Sequence, residues 1–285
     1  MLQPTQAQLA LLSPMERIAY RIADFYNRKF RVFARIWNRT FMLVLLTFLG
    51  GRRIKGYCVG RVADITNEDR VVMVANHRSF FDFFVILWIN FTRTRISSRI
   101  LFPVRSTFFY TRPLGVLVNF AMSGMAMFPP VMREKEKRAF NRFSMDRVLD
   151  ELTRPSTVIG FHPEGRRNKN DDFHQLLPAK PGVGEIAIRA DSDVKFVPIF
   201  VVGMGNNLAL EGWRTWFRAR AFPIDIVYGE PLDFSDLRNR PQTPELYLEA
   251  SRRCMDAIAE LSEHQREHGR LKPRPRRQLM RLFGA

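Results

Sequence analysis

A chain of 285 residues is long enough to bury one substantial core, and two independent domains would be cramped in it. With 46% hydrophobic and 26% charged residues, the composition excludes the polar signature of disorder and the long apolar runs of a polytopic membrane protein. The formal charge of +17 calls for an anionic partner, for which nucleic acid, anionic lipid and a phosphorylated substrate all qualify, and the 25 phenylalanines suit a large core, an acyl-chain tunnel or a lipid interface.

Residues 1–10 lack the basic and apolar regions of a signal peptide. Across residues 14–37, Ile18, Ile22, Phe25, Phe33 and Trp37 recur at three-to-four spacing among Arg17, Arg21, Arg28, Lys29, Arg31 and Arg35, which predicts a basic amphipathic helix. Residues 41–49 are almost wholly apolar and stop at Gly50-Gly51-Arg52-Arg53. A membrane-spanning helix needs about 20 apolar residues, so the run falls short. It reads either as part of a core-packing helix pair or as an interfacial membrane anchor, and the basic flanks and Trp37 favour the anchor. Further on, residues 71–75, 157–161, 196–202 and 224–228 are short runs rich in β-branched residues, with helical patterns at 137–152 and 183–190 between the first three. This rhythm predicts a single α/β domain with a mixed, partly parallel sheet flanked by helices. A last helix opens at Thr243-Pro244-Glu245 with an apolar stripe of Tyr247, Cys254, Ile258 and Leu261, and residues 269–285 form a flexible basic tail. Such a tail is either solvated or drawn to anionic lipid at about 1 kcal/mol per basic residue. The expected division is a helical membrane-association segment at 1–52, the main domain at 53–240, a C-terminal helix at 241–268 and the tail. Cys58 and Cys254 show no disulfide or zinc spacing, which favours a reducing, cytosol-facing location.

The strongest local signal, Ala75-Asn76-His77-Arg78-Ser79-Phe80-Phe81-Asp82, directly follows the first strand. In one continuous helix, residues five apart lie about 140° around the axis and cannot share a face. Placing His77 in the strand-to-helix turn, with Ser79 as N-cap and Asp82 in the first helical turn, lets the carboxylate reach back to the imidazole and fix its tautomer. The same Ser79-x-x-Asp82 also reads as a variant capping box. After the second strand, His162-Pro163-Glu164-Gly165-Arg166-Arg167-Asn168 puts a carboxylate beside two guanidinium groups on a glycine turn, a composition suited to phosphate recognition or to a solvated charged loop. A metal site using His77, His162 and His174 has no HExxH or similar spacing behind it, and there is no GxSxG elbow for a serine nucleophile.

Taken together, the two elements resemble the glycerolipid acyltransferase family that acylates lysophosphatidic acid, with its NHxxxxD and FPEGTR signatures. Asn76, His77 and Asp82 match the first signature. Pro163, Glu164, Gly165 and Arg167 match the second, with His162, Arg166 and Asn168 in place of Phe, Thr and Ser. Arg105, Pro113 and Gly115 resemble the intervening block, Lys180 and Gly182 the segment after the second signature, and Val197-Pro198-Ile199 the final VP block, so the resemblance spans roughly residues 76–199.

The resemblance implies transfer of an acyl group from acyl-CoA or acyl-carrier protein to a lysophospholipid, above all 1-acylglycerol-3-phosphate, with no cofactor and no metal. His77 would be the general base and Asp82 its orienting partner. Asn76, Glu164, Gly165, Arg166, Arg167 and Arg105 would form the acceptor site, with Glu164 at the glycerol portion and Arg167 and Arg105 at the phosphate. The expected partners are the lysophospholipid, the thioester donor and an anionic membrane surface, with the protein peripheral on its cytoplasmic face; nucleic acid is not expected. Another lyso-lipid acceptor, a thioesterase that uses water, and a non-enzymatic basic membrane binder are the competing readings.

Overall fold

The computed structural model describes residues 2–96 and 99–272. Its strands are β1 (Ile54–Tyr57), β2 (Arg70–Ala75), β3 (Arg99–Leu101), β4 (Val104–Arg105), β5 (Pro130–Val131), β6 (Thr157–Phe161), β7 (Lys195–Val202) and β8 (Ile224–Tyr228). The main sheet has the order β1-β8-β7-β2-β6-β3. β7, β2, β6 and β3 run parallel, β8 is antiparallel to β7, and β1 is parallel to β8. The central strands are apolar along almost their whole length because both faces of the sheet are covered. Along one set of contacts, α3 (Asp82–Arg93) meets β1 and β7; along another, α8 (Pro244–His268) meets β7, β8 and α6 (Gly182–Arg189). A small second sheet pairs β4 with β5, so that Arg105 lies opposite Val131. The longer helices not yet placed are α1 (Pro14–Lys29), α2 (Arg31–Gly51), α4 (Pro113–Ser123), α5 (Arg138–Leu152) and α7 (Leu208–Phe217).

The expected mixed α/β sheet is present, and the N-terminal segment differs from expectation in where it breaks. The chain bends at Phe30, not after Trp37, and α2 then runs unbroken for 21 residues with two π-wound stretches, Asn38–Met42 and Thr47–Gly51. The apolar run counted from Phe41 therefore begins ten residues earlier, and α2 is long and apolar enough to cross a membrane. It is also amphipathic in packing. Met42, Leu46 and Leu49 face the core, whereas Val32, Ile36, Phe41, Val44 and Phe48 stand exposed. The segment thus packs on the domain and presents an apolar outer face at once. At the other end, Arg270 and Leu271 donate backbone and guanidinium N–H groups to Asp225, so the tail is tied down at its start; its remainder, 273–285, lies outside the described residues.

Ionic packing joins the N-terminal helices to the sheet. Glu151 at the end of α5 is fully buried and receives Arg147 at 2.9 Å, Arg154 at 3.0 Å, Arg31 at 3.3 Å and also Arg99 of β3. Asn27 of α1 accepts from Arg99 and donates to Met125 O, closing the cluster onto α1. Removing one partner from such a buried network leaves uncompensated charge, so Glu151→Ala is expected to destabilise the fold by about 3–5 kcal/mol. A chemical denaturation midpoint indistinguishable from that of the unmodified protein would refute this.

Candidate active site

The parallel strands β2, β6 and β7 end at the same edge of the sheet, where ligands of open α/β sheets gather. Beyond Ala75, the Asn76 side chain is fully buried and mimics a strand peptide: its Nδ2 donates to Val201 O at 2.9 Å and its Oδ1 accepts from Val201 N at 2.7 Å. Asn76, a residue of the expected acceptor site, extends the β2–β7 ladder by one rung and fixes where the chain leaves the sheet. His77 then lies in the turn, and Asp82 is the first residue of α3. One carboxylate oxygen of Asp82 accepts from His77 Nδ1 at 3.1 Å, Arg78 N at 2.7 Å and Ser79 N at 2.8 Å. Ser79 is not the N-cap; that place falls to Phe81, which makes no side-chain cap bond, while the Ser79 hydroxyl accepts from Phe81 N and donates to Gly205 O.

An oxygen already accepting two backbone N–H groups is an acceptor toward the ring as well, so Nδ1 carries the imidazole proton and Nε2 is left with its lone pair. His77 is 20% exposed and Asp82 only 1%, so the imidazole is the member of the pair that meets solvent. Burial, reinforced by the charges of Arg167 and Arg105, lowers the His77 pKa to about 4. Burial lifts the Asp82 carboxyl to about 7, against the pull of His162 and of the Ser79 and Arg78 amides. His77 is accordingly a neutral imidazole at neutral pH. Behind it, His162 stacks ring on ring at 3.8 Å and 10°, itself backed by Phe83 at 4.3 Å, with Nδ1 donating to Ala75 O. His162, where the resembled signature carries Phe, thus hydrogen-bonds to the end of β2.

The second loop is stitched to the first. Glu164 is buried, and its two oxygens accept from His77 N at 2.8 Å and Leu177 N at 2.9 Å. Its carboxylate therefore holds the His77 turn to the following loop. Asn168 N donates to His77 O at 2.6 Å, binding the loop to the turn from the other side. Gly165 turns the chain at φ +63°, a conformation that costs a residue with a Cβ atom, and so aims the next two side chains outward. Arg166 and Arg167 are exposed there. Arg167 donates to Asn206 Oδ1 at 3.3 Å, and that oxygen also accepts from Phe80 N at 2.8 Å.

Arg105 comes to the same edge through the small sheet, two residues from the level of Arg133, since it pairs with Val131. Burial together with the charges of Arg133 and Arg166 holds the Arg105 guanidinium below its ordinary range, which places these cations within one another's field. Arg133 and Asn206 were not singled out from sequence. Asn206 follows β7 at the edge that topology already marks, and that position was its available signal; Arg133 follows a strand of only two residues, too short to be read.

The imidazoles of His77 and His162 and the Asp82 carboxylate bring their ligating atoms within 4.8 Å of one another. Parallel stacked rings direct their lone pairs side by side, whereas chelation requires them to converge, so this donor set does not fit a metal. His174 lies elsewhere, bonded to Ser262 of α8 at 2.8 Å and stacked on Phe200. An open cleft of about 650 Å³ lined by Glu68, Arg70, Asp193 and Lys195 lies at the opposite, amino-terminal edge of the sheet.

The edge thus combines a neutral imidazole with a free nitrogen, a buried carboxylate that orients it and several nearby guanidinium groups. Comparison with curated proteins gives no match. Among solved structures, the chain is similar to the 1-acyl-sn-glycerophosphate (LPA) acyltransferase PlsC from Thermotoga maritima, with 16% identity and a TM-score of 0.45 over 90% of this chain and 97% of that one. The Acyltransferase family model matches residues 57–202, just over half the chain, from the last residue of β1 to the end of β7, and on that match this chain belongs to the acyltransferase family.

Proposed function

We propose that this acyltransferase moves a fatty acyl group from an acyl thioester, acyl-CoA or acyl-carrier protein, to the free hydroxyl of a lysophospholipid, with 1-acylglycerol-3-phosphate as acceptor and phosphatidic acid as product. The observation that carries the reading is the His77 imidazole, proton-bearing on Nδ1 and open at Nε2, set beside the cationic cluster of Arg105, Arg133, Arg166 and Arg167. In this reading the guanidinium groups hold the acceptor phosphate and so bring the glycerol hydroxyl to Nε2. His77 takes the hydroxyl proton, the oxygen attacks the thioester carbonyl, and the C–S bond breaks. The leaving thiol has a solution pKa of about 8.5, so it departs readily and takes the proton back from His77. Asp82 keeps the ring oriented and stabilises the imidazolium while it exists. Another lyso-lipid with a phosphate in the same place would satisfy the same cations.

We also propose that the chain works as a peripheral protein on the cytoplasmic face of an anionic membrane, where both substrates present their reactive ends. The exposed apolar face of α2 supports this, as do its basic neighbours Arg28, Lys29, Arg35 and Arg39. Because the opposite face of α2 is part of the core, removal of the whole N-terminal segment would expose Met42, Leu46 and Leu49 sites and confound the test. Point substitution on the outer face is the cleaner route. Val44→Glu, at a residue 71% exposed, is expected to weaken vesicle binding by about tenfold or more while leaving the fold intact; unchanged binding would count against this membrane face.

His77→Ala is expected to lower the acyl-transfer rate by roughly 10²–10⁴-fold with thermal stability retained, as loss of a general base does. Near-normal transfer by the folded variant would remove His77 from the reaction. Arg167→Ala is expected to raise the Michaelis constant for the acceptor more than that for the donor. The same variant provides an electrostatic check: a nearby cation disfavours the imidazolium, so removing it should raise the His77 pKa above its value of about 4. Titration of the ring nitrogens by nuclear magnetic resonance reads this directly, and a constant or falling pKa would show that Arg167 does not act on His77.

A further inference from the structure

Helix α7 (Leu208–Phe217) carries an unpartnered aromatic face that neither the catalytic geometry nor the sheet requires. Glu211, Gly212 and Thr215 are buried against the domain, with Thr215 Oγ1 donating to Leu49 O at 2.6 Å. On the other side Trp213 and Trp216 are 47% and 46% exposed and the terminal Phe217 73%. Large aromatics are ordinarily the most valuable side chains to bury, so three of them together on a ten-residue helix mark a surface that is covered in use. Charge identifies what covers it. The Arg218 guanidinium lies over Trp213 at 6.0 Å and that of Arg52 over Trp216 at 5.7 Å, and Arg220 follows, also exposed. Tryptophan with arginine at its rim is the composition of the headgroup layer, where an amphipathic ring is half in hydrocarbon and a guanidinium meets phosphate. The face is also continuous with α2: the Phe48 and Trp216 rings touch at 5.4 Å.

We propose that α7 is a second interfacial wedge that inserts Trp213, Trp216 and Phe217 into an anionic bilayer and, with α2, sets the tilt of the catalytic edge over the membrane. The inference rests on the membrane-surface reading given above. Two contacts at different places define an orientation, which one helix alone leaves free to roll about its axis. The wedge is coupled to the site by a short path. α7 starts immediately after Asn206 and Asn207, and Asn206 Oδ1 holds Phe80 N of the His77 turn and is within reach of Arg167. Seating α7 in the headgroup layer therefore places the phosphate-facing cations at the level where a lysophospholipid headgroup is presented.

The test compares the full chain with the triple variant Trp213→Ser, Trp216→Ser, Phe217→Ser. Binding is measured to phosphatidylcholine vesicles with and without phosphatidylglycerol, and acyl transfer to a short-chain, monomeric lysophosphatidic acid. Binding to the anionic vesicles is expected to fall at least about tenfold, given the aromatic area withdrawn. The rate on the monomeric acceptor should be unchanged, and the pair Trp213→Phe, Trp216→Phe should restore most of the binding. Undiminished vesicle binding by the triple variant overturns the proposal. So does sedimentation showing that the unmodified chain dimerises in solution and the variant does not, with vesicle affinity equal in both, since the face would then belong to a second copy. Vesicle binding is read without turnover, so inactivity of the unmodified chain on every acceptor would refute the acyl-transfer reading and leave the wedge to stand or fall separately.

Discussion

One carboxylate oxygen at the first residue of α3 gathers the His77 ring nitrogen and the amides of Arg78 and Ser79. Burial makes an ionised Asp82 costly, and these N–H donors with the positive end of the helix offset that cost. In return the turn has one conformation and the imidazole one tautomer. The strand before it is pinned by the Asn76 side chain on Val201, and the loop beside it by Glu164 on His77 N and Asn168 N on His77 O. Asn76 and Glu164, two residues of the expected acceptor site, thus spend their side chains on backbone groups that fix the His77 turn.

Positive charge is concentrated around His77, and this has a consequence for its protonation. The same guanidinium groups that suit a phosphate oppose the imidazolium form of His77, and burial opposes it more strongly still. An imidazole kept neutral is available to accept a proton at physiological pH, and arrival of a phosphate among the cations would relieve part of that opposition as the ring becomes charged. In the proposed reaction, substrate binding and base strength are linked through one set of charges.

The α/β sheet, its partly parallel sense and the two strand-end loops were legible because β2, β6, β7 and β8 are runs of β-branched residues buried on both faces, and their boundaries are within a residue of the expected ones. The edge strand β1 contains Lys55 and Gly56, β3 has three residues, and β4 and β5 have two each, so no periodicity could declare them. With β5 unread, Arg133 had no context. The N-terminal helices were misdivided because the break at Phe30 carries no Gly or Pro, and its cause is tertiary: Asn27 and Arg31 are held by the buried cluster around Glu151. Likewise, nothing in the spacing of Asn76 or Glu164 distinguishes a side chain that binds ligand from one that binds backbone. That distinction needs the strands brought side by side.

The central claim is that an acceptor hydroxyl, fixed by its phosphate, is what His77 activates. Incubating the purified protein with a labelled acyl thioester and, separately, lysophosphatidic acid, lyso-lipids of other headgroup, and no acceptor tests it most directly. Label should pass into phosphatidic acid, transfer should be far slower to lyso-lipids lacking the phosphate, and thioester should persist when no acceptor is present. Rapid release of free fatty acid in the no-acceptor sample, with no lipid product in any other, would contradict it and make water the substrate of this site.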